Sequence, residues 1–327
     1  MPPACERTAS PVRFTPVFIE YRQDLLLAIS RLYDDFAGRC PGAPSFPVEH
    51  WEAAFAVLGE RARQDVLIAV RHTQSGAPEP VAFSWFPSRS DSGRAFYRGP
   101  YLSPDNPDFN DILAESLGEA VRKAAGFEVR LVEARSLHPR WSAAFARAGF
   151  ENPGVYERWR LFPLKGSAAA IEPPAGGEIR PWVGISDIDV LASLFKEGFS
   201  GDWDYVAAGR RDWEEMVAGR NFDPRLTLLA YEGGKPAGYA FGQMVPDPMA
   251  ITLKGVYLIS IDVKPDARRR GWGGALLSKW LRTGYDAGAR AAELDVDAKN
   301  DAAKSLYRHF GFRRIRTEEV WWFRYDR

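Results

Sequence analysis

Apolar residues recur along this 327-residue chain with two distinct periods. Residues 24–36 (DLLLAISRLYDDF) and 187–199 (DIDVLASLFKEGF) place them three and four apart, the spacing of one helix face. Residues 65–72, 81–86 and 96–102, and again 226–232, 237–244 and 256–263, are short apolar runs bounded by turn residues, which predicts strands, with the first two of each set as a hairpin. An amphipathic helix, a further strand and a Gly-Phe pair close each series, at Ala148-Gly149-Phe150 and Phe310-Gly311-Phe312. Trp51-Glu52 also falls where Trp213-Glu214 falls. The repeated order implies an internal duplication. Between the copies, PLKGSAAAIEPPAGGE has the composition of a linker. The expected organisation is 1–163, a linker at 164–178, and 179–327, each half an α/β or α+β unit with a mixed sheet.

Composition narrows the class of protein without choosing its chemistry. At 46% apolar and 26% charged residues the chain reads as globular, with length for two cores. Lys plus Arg and Asp plus Glu are equal at 43 each, so no net field favours nucleic acid or an anionic membrane. Cys5 and Cys40 are the only cysteines; they give no disulfide framework and no metal site, and suit a reducing compartment. The first twenty residues carry Glu6, Arg7 and Arg13 without an unbroken apolar stretch, and no apolar run has the length of a membrane span. A cytoplasmic location is expected.

The densest chemical signal is residues 259–277, ISIDVKPDARRRGWGGALL. A strand leads through Pro265 into Arg268, Arg269 and Arg270, then into a helix opened by Gly271, Gly273 and Gly274. Glycines let backbone N–H groups approach a ligand, the helix dipole favours an anion there, and guanidinium groups suit phosphate oxygens. A P-loop would need Lys and Ser/Thr after the last glycine, whereas Ala275-Leu276-Leu277 stands there. A dinucleotide fold would place a third glycine where Leu276 stands, and its turn would follow the strand tightly; here the six residues from Lys264 to Arg269 intervene.

The third reading is Arg268-x-x-Gly271-x-Gly273, which resembles the acyl-coenzyme A signature of the GNAT N-acetyltransferase superfamily. A strand at 291–296, then Asn300-Asp-Ala-Ala-Lys-Ser-Leu-Tyr307-Arg-His-Phe310-Gly311-Phe312, resembles the second part of that family's site. The resemblance implies two tandem GNAT-like domains, each a mixed, mostly antiparallel sheet flanked by helices and splayed between its fourth and fifth strands. It implies acetyl-CoA as co-substrate, with no metal, bound by Arg268, Arg269, Arg270, Gly271, Gly273, Gly274, Asn300 and Tyr307 and by backbone amides around Ile261 and Val263. Tyr307 would be the general acid for the departing thiolate.

For the base the resemblance gives less. Many family members carry a Glu on the fourth strand where this chain has Tyr257, which leaves Glu293 or Asp295 acting through water, or no enzymic base. Trp203, Asp204 and Tyr205, in the stretch 199–205, are candidates to bind a cationic small-molecule amine. In the first half, residues 106–111 replace the arginine-glycine turn, Phe145 stands opposite Tyr307, and His138 before Pro139 reads as a helix start. That half is expected to be structural or substrate-shaping, an arrangement similar to mycothiol synthase and its tandem relatives. A monomer or homodimer is expected. A catalytically silent CoA-binding regulator and a protein or peptide N-acetyltransferase stay open as alternatives.

Overall fold

A strand with period-two patterning needs a neighbour on each edge, and every strand here except the outermost two has one on both sides. The computed structural model describes residues 15–325 apart from 41–42, 44, 74–75, 91–92, 128, 167–169, 206–207, 219–221 and 247–253. Cys5 lies outside the described residues, and Cys40 is buried as a free thiol whose pKa burial pushes up to about 11. The first half contributes β1 (Val17–Glu20), α1 (Leu26–Arg39), α2 (Val48–Leu58), the single turn α3 (Ala62–Asp65), β2 (Val66–His72), β3 (Pro78–Ser90), β4 (Arg94–Tyr101), α4 (Phe109–Ala125), β5 (Leu131–Ser136), α5 (Pro139–Arg147) and β6 (Glu151–Leu161). The second contributes β7 (Gly177–Pro181), α6 (Ile188–Phe199), α7 (Arg210–Ala218), β8 (Phe222–Glu232), β9 (Lys235–Pro246), β10 (Lys254–Val263), α8 (Trp272–Asp286), β11 (Ala289–Asp297), α9 (Asp301–His309) and β12 (Arg313–Arg324).

The duplication is visible element by element. Trp51 on α2 and Trp213 on α7 are both buried. The hairpins β2–β3 and β8–β9 form as their turn residues dictate; Gly233 and Gly234 between β8 and β9 both have positive φ, 55° and 77°, as a type I′ turn requires. The fourth and fifth strands of each half, β4 with β5 and β10 with β11, are parallel, and all other pairs are antiparallel.

The two sheets merge into one twelve-stranded sheet of order β1-β2-β3-β4-β5-β12-β6-β11-β10-β9-β8-β7. The closing strands are exchanged: β12 lies between β5 and β6, and β6 between β12 and β11. Each half's fifth strand therefore pairs with the last strand of the other, Arg135 opposite Val320 and Leu294 opposite Trp159. The cores share this exchange. Trp321 packs in the first half's apolar cluster, and Trp159 and Leu164 pack in the cluster around α8 and α9. The described residues between the halves run from β11 to α8: Leu164 N–H donates to Arg290 O (2.8 Å), Ile171 N–H to Ser278 Oγ (3.2 Å), and Gly177 sits against the Trp272 ring.

Polar side chains on the exchanged strands are buried rather than solvated. Arg135 on β5 donates to Asp295 (2.8 Å) and Glu318 (3.0 Å), Arg158 on β6 donates to Asp295 (3.0 Å) and Glu293 (3.3 Å), and Arg160 donates to Glu293 (2.7 Å). This chain of charge-assisted bonds crosses from one half to the other. Burial opposes ionisation of Asp295, but Arg158 and Arg135 outweigh it and hold the carboxyl well below the usual range.

Candidate active site

The site begins where β10 leaves its neighbour. β10 pairs with β11 only from Lys254 to Leu258, and its register with β9 slips between Leu258 and Ser260. Ile259 is the extra residue of a β-bulge and is exposed, unusual for an isoleucine within a central strand. From Ser260 to Val263 the strand stays bonded to β9 but no longer to β11. The backbone groups of Ile261 and Val263 thus border a wedge in the sheet, whose other wall is β11.

At the end of that wedge the chain makes a 3-10 turn over Pro265–Ala267 and enters α8. Arg269 (φ 62°) and Gly271 (φ 98°) both have left-handed backbone, which turns the chain sharply into the helix. Helix geometry leaves the first-turn N–H groups without intrahelical acceptors. No side chain of their own shields Gly273 and Gly274: a Cβ at Gly273 would meet only Leu306, at 3.5 Å, and one at Gly274 only Ile171, at 3.5 Å. The three arginines differ in their use. Arg268 turns back to Val263 O (2.8 Å) and Asp262 Oδ1 (3.3 Å), Arg270 pairs with Glu232, and Arg269 is exposed and makes no ion pair among the described residues.

Across the wedge, α9 supplies Tyr307. Its ring is buried beside Phe312 (centroids 5.8 Å apart), in one apolar cluster with Ile261, Val263 and Leu306. Its hydroxyl has no hydrogen-bond partner among the described residues, and burial pushes its pKa up. Asn300 caps the helix, its Oδ1 accepting from Ala303 N–H (3.0 Å).

The carboxylates fall into two groups. Glu293 and Asp295 are held by the buried arginines, and Tyr257 OH donates to Asp295 Oδ2 (3.0 Å). Asp262, by contrast, stands on the splayed part of β10, packed so closely on α6 that a Cβ at Gly198 would lie 2.0 Å from its Oδ2. Burial is the largest influence on Asp262 and pushes its pKa up to about 6; Arg268 opposes this and Asp202 adds to it. Sequence reasoning missed Asp262, because an Asp before Val-Lys-Pro reads as the polar end of a strand; the signal that points to it is its place beside Val263.

The loop after α6 covers the central strands. Trp203 donates from its indole N–H to Asp297 (2.8 Å), and its ring packs on Tyr156 and Trp322 and lies over Gly154, where a Cβ would be 2.5 Å away. Tyr156 OH donates to Asp204, whose pKa burial raises, and Tyr205 packs on Phe195 (5.7 Å). Second-half residues thus rest on β6 of the first half.

The first half has a matching splay, narrowed by a side chain of its own. β4 pairs with β5 only from Arg94 to Tyr97. Aligned on the Gly-Phe pairs, Ala303 is opposite Trp141, whose indole projects into the first-half opening and donates to Pro100 O (2.8 Å). His138 caps α5 as Asn300 caps α9, accepting from Arg140 N–H (3.2 Å). Where the second half has free helix-start amides, α4 begins behind Asp105 and Asp108, paired to Arg39 and Arg71.

Residues 188–312, which contain the bulge, the glycine-rich helix start and Tyr307, match the acetyltransferase (GNAT) family. This segment belongs to the GNAT family. Mycothiol acetyltransferase of Pseudarthrobacter chlorophenolicus is 29% identical over 209 residues, 63% of this chain and 64% of that protein. The one from Paenarthrobacter aurescens is 26% identical over 277 residues, 79% of this chain and 85% of that protein. The chain thus spans less than two thirds of the first of these. Among solved structures, a GCN5-related N-acetyltransferase from Sphaerobacter thermophilus superposes with TM-score 0.75 at 20% identity, covering 97% of both chains. A tandem GNAT protein from the clavulanic acid biosynthesis pathway gives 0.62 at 14% identity, covering 94% of this chain and 98% of that one. The GNAT fold therefore extends through both halves. Among the described residues no helix is long and apolar enough to cross a membrane.

Proposed function

We propose that this chain is an N-acetyltransferase that moves an acetyl group from acetyl-CoA to the primary amine of a small molecule. The observation that supports the proposal is the wedge itself: the end of β10 beyond its bulge, unpaired on its β11 side, leads into the bare first turn of α8, and Tyr307 packs in the same apolar cluster as Ile261 and Val263. The first-turn amides of α8 and Arg269 hold the pyrophosphate. Backbone N–H groups at Ile261 and Val263 hold pantetheine and stabilise the oxygen that gains charge as the amine attacks the thioester carbon. When the carbon–sulfur bond breaks, Tyr307 protonates the departing thiolate. Asp262 takes the proton lost by the amine, a role for which Glu293, bound between Arg158 and Arg160, is poorly placed. Asp202 adds negative charge beside Asp262 and Asp297, which favours a cationic acceptor. The names of the curated relatives support acetyl transfer to a small molecule.

The test is thiol release from acetyl-CoA with a panel of small amines and a panel of peptides, with mass spectrometry for the gain of one acetyl group. Turnover on at least one small amine is expected. Saturable acetyl-CoA binding without turnover on any acceptor would make the chain a CoA-binding regulator, and turnover on peptides alone would make it a peptide acetyltransferase.

A further inference from the structure

The opening in the first half is narrowed by Trp141 but not closed. A cavity of about 190 Å³ remains there, between α1, β4 and the exchanged strands. Its walls are aromatic: Tyr33 and Phe36 meet Tyr101 edge-on at 5.0 and 5.1 Å, and Phe46 and Trp141 complete them. Its floor is cationic, with Arg98, Arg135, Arg158 and Arg316 lining it beside a single carboxylate, Glu318. Three of these guanidinium groups have carboxylate partners: Arg135 and Arg158 share Asp295, and Arg316 bonds Glu318 (2.5 Å).

Arg98 is different. Among the described residues its guanidinium donates only to the neighbouring Tyr97 O (3.1 Å), lies over the Phe96 ring (5.8 Å) and makes no ion pair. Burial and then Arg135 push its pKa down to about 10, so it still carries its charge at neutral pH. Glu318 and Asp295 act on it only at a distance and are themselves bonded to other arginines, so a partly buried guanidinium faces the cavity with no carboxylate paired to it directly, which is costly to the fold.

We propose that this opening is a second binding site, which takes a compact carboxylate with an apolar or aromatic body. Carboxylate oxygens match the forked donors of Arg98, while the rings of Tyr33, Phe36 and Phe46 provide the apolar contact. The size agrees: an apolar cavity of about 150 Å³ takes benzene, so this one accommodates a single ring with its acid group. A nucleotide is too large, and Asp105 and Asp108 at the approach to α4 repel a pyrophosphate. The cavity is separate from the wedge of the second half: its lining residue nearest the wedge, Arg158 on β6, is two strand spacings from β10, roughly 10 Å.

The experiment is calorimetry on the intact chain with benzoate, isobutyrate, the neutral benzamide and inorganic phosphate, with and without saturating acetyl-CoA. One saturable carboxylate site per chain is expected, unaffected by acetyl-CoA, with benzamide at least about tenfold weaker because it lacks the charge. Arg98→Met should weaken benzoate binding at least about tenfold, and Arg98→Lys should retain saturable binding. The proposal is overturned if neither carboxylate binds, if benzamide or phosphate binds as well as benzoate, if acetyl-CoA displaces benzoate, or if folded Arg98→Met binds it unchanged. Should Arg98→Met fail to fold, the benzoate–benzamide comparison on the unaltered chain decides. Absence of acetyl transfer leaves these outcomes intact, so the two readings fail separately.

Discussion

Two side chains at the wedge differ in chemistry because burial acts on them in the same direction with opposite consequences. Burial raises the pKa of the Tyr307 phenol, which keeps it a proton donor throughout the neutral range. Tyr307→Phe retains the ring and its packing on Phe312, so acetyl-CoA affinity should hold while kcat falls by about 10²–10³. Equal loss of binding would make the residue structural, and a rate within twofold of the parent under chemistry-limited conditions removes the acid role. Burial also raises Asp262, to about 6 from an ordinary 3.8. The folded state therefore binds the proton more tightly than the unfolded chain, and stability is lost as pH rises from 3.8 through 6, then levels. Asp262→Asn should accordingly melt higher than the parent at pH 8 and close to it at pH 4, which thermal denaturation at the two pH values measures. Activity runs the other way. A base must be ionised, so kcat/KM should rise through pH about 6 and that limb should vanish in the Asn variant.

At the scale of elements, the order of helices and strands was legible because each carries its period and its punctuation: Gly233-Gly234 in a hairpin, Pro139 after His138, Gly271 at a helix start. The anion-binding turn was legible for the same reason, since its glycines state a backbone requirement. What each arginine does was not. Arg268 and Arg270 turn to Asp262 and Glu232, partners 6 and 38 residues away, and no local pattern encodes that choice. The alternating charges of Arg158, Arg160, Glu293 and Asp295 likewise look like a solvent-facing edge, and only their cross-strand pairing makes them a buried layer. The turn offers a clean test because its glycine is spatially free. A Cβ at Gly273 fits beside Leu306 at 3.5 Å, so Gly273→Val should fold normally yet weaken coenzyme A binding by at least about tenfold, by obstructing approach to the helix-start amides. Calorimetry with circular dichroism checks both parts; unchanged affinity would take the turn out of the cofactor site.

For the whole molecule, the exchange of β6 and β12 decides what the duplication means, and it escapes sequence reasoning because alternation fixes which residues share a face, never which strand lies alongside. The glycine-bearing helix start exists once and the first half's opening is narrowed by Trp141, so the intact chain should bind one acetyl-CoA; calorimetric stoichiometry of two would contradict that. Arg135 joins the halves through Asp295 and Glu318, and Arg135→Met would leave those buried carboxylates short of a partner, costing about 3–5 kcal/mol in denaturant unfolding. A loss under about 1 kcal/mol would mean the network does not tie the halves together. The strongest consequence concerns fragments. A piece ending at 163 keeps β6 but lacks both its neighbours, β11 and β12, and leaves β5 with an open edge; a piece starting at 179 keeps β12 but lacks β5 and β6. Each would expose unpaired strand edges and apolar residues such as Trp159 or Trp321 that normally pack in the other half. Expressed singly, both should aggregate or lack cooperative unfolding. Expressed together, they should reassemble into one species that binds acetyl-CoA, observed as co-elution in size-exclusion chromatography. A 179–327 fragment that stays monomeric, unfolds cooperatively and binds acetyl-CoA unaided would show that the exchanged strands are dispensable to the site.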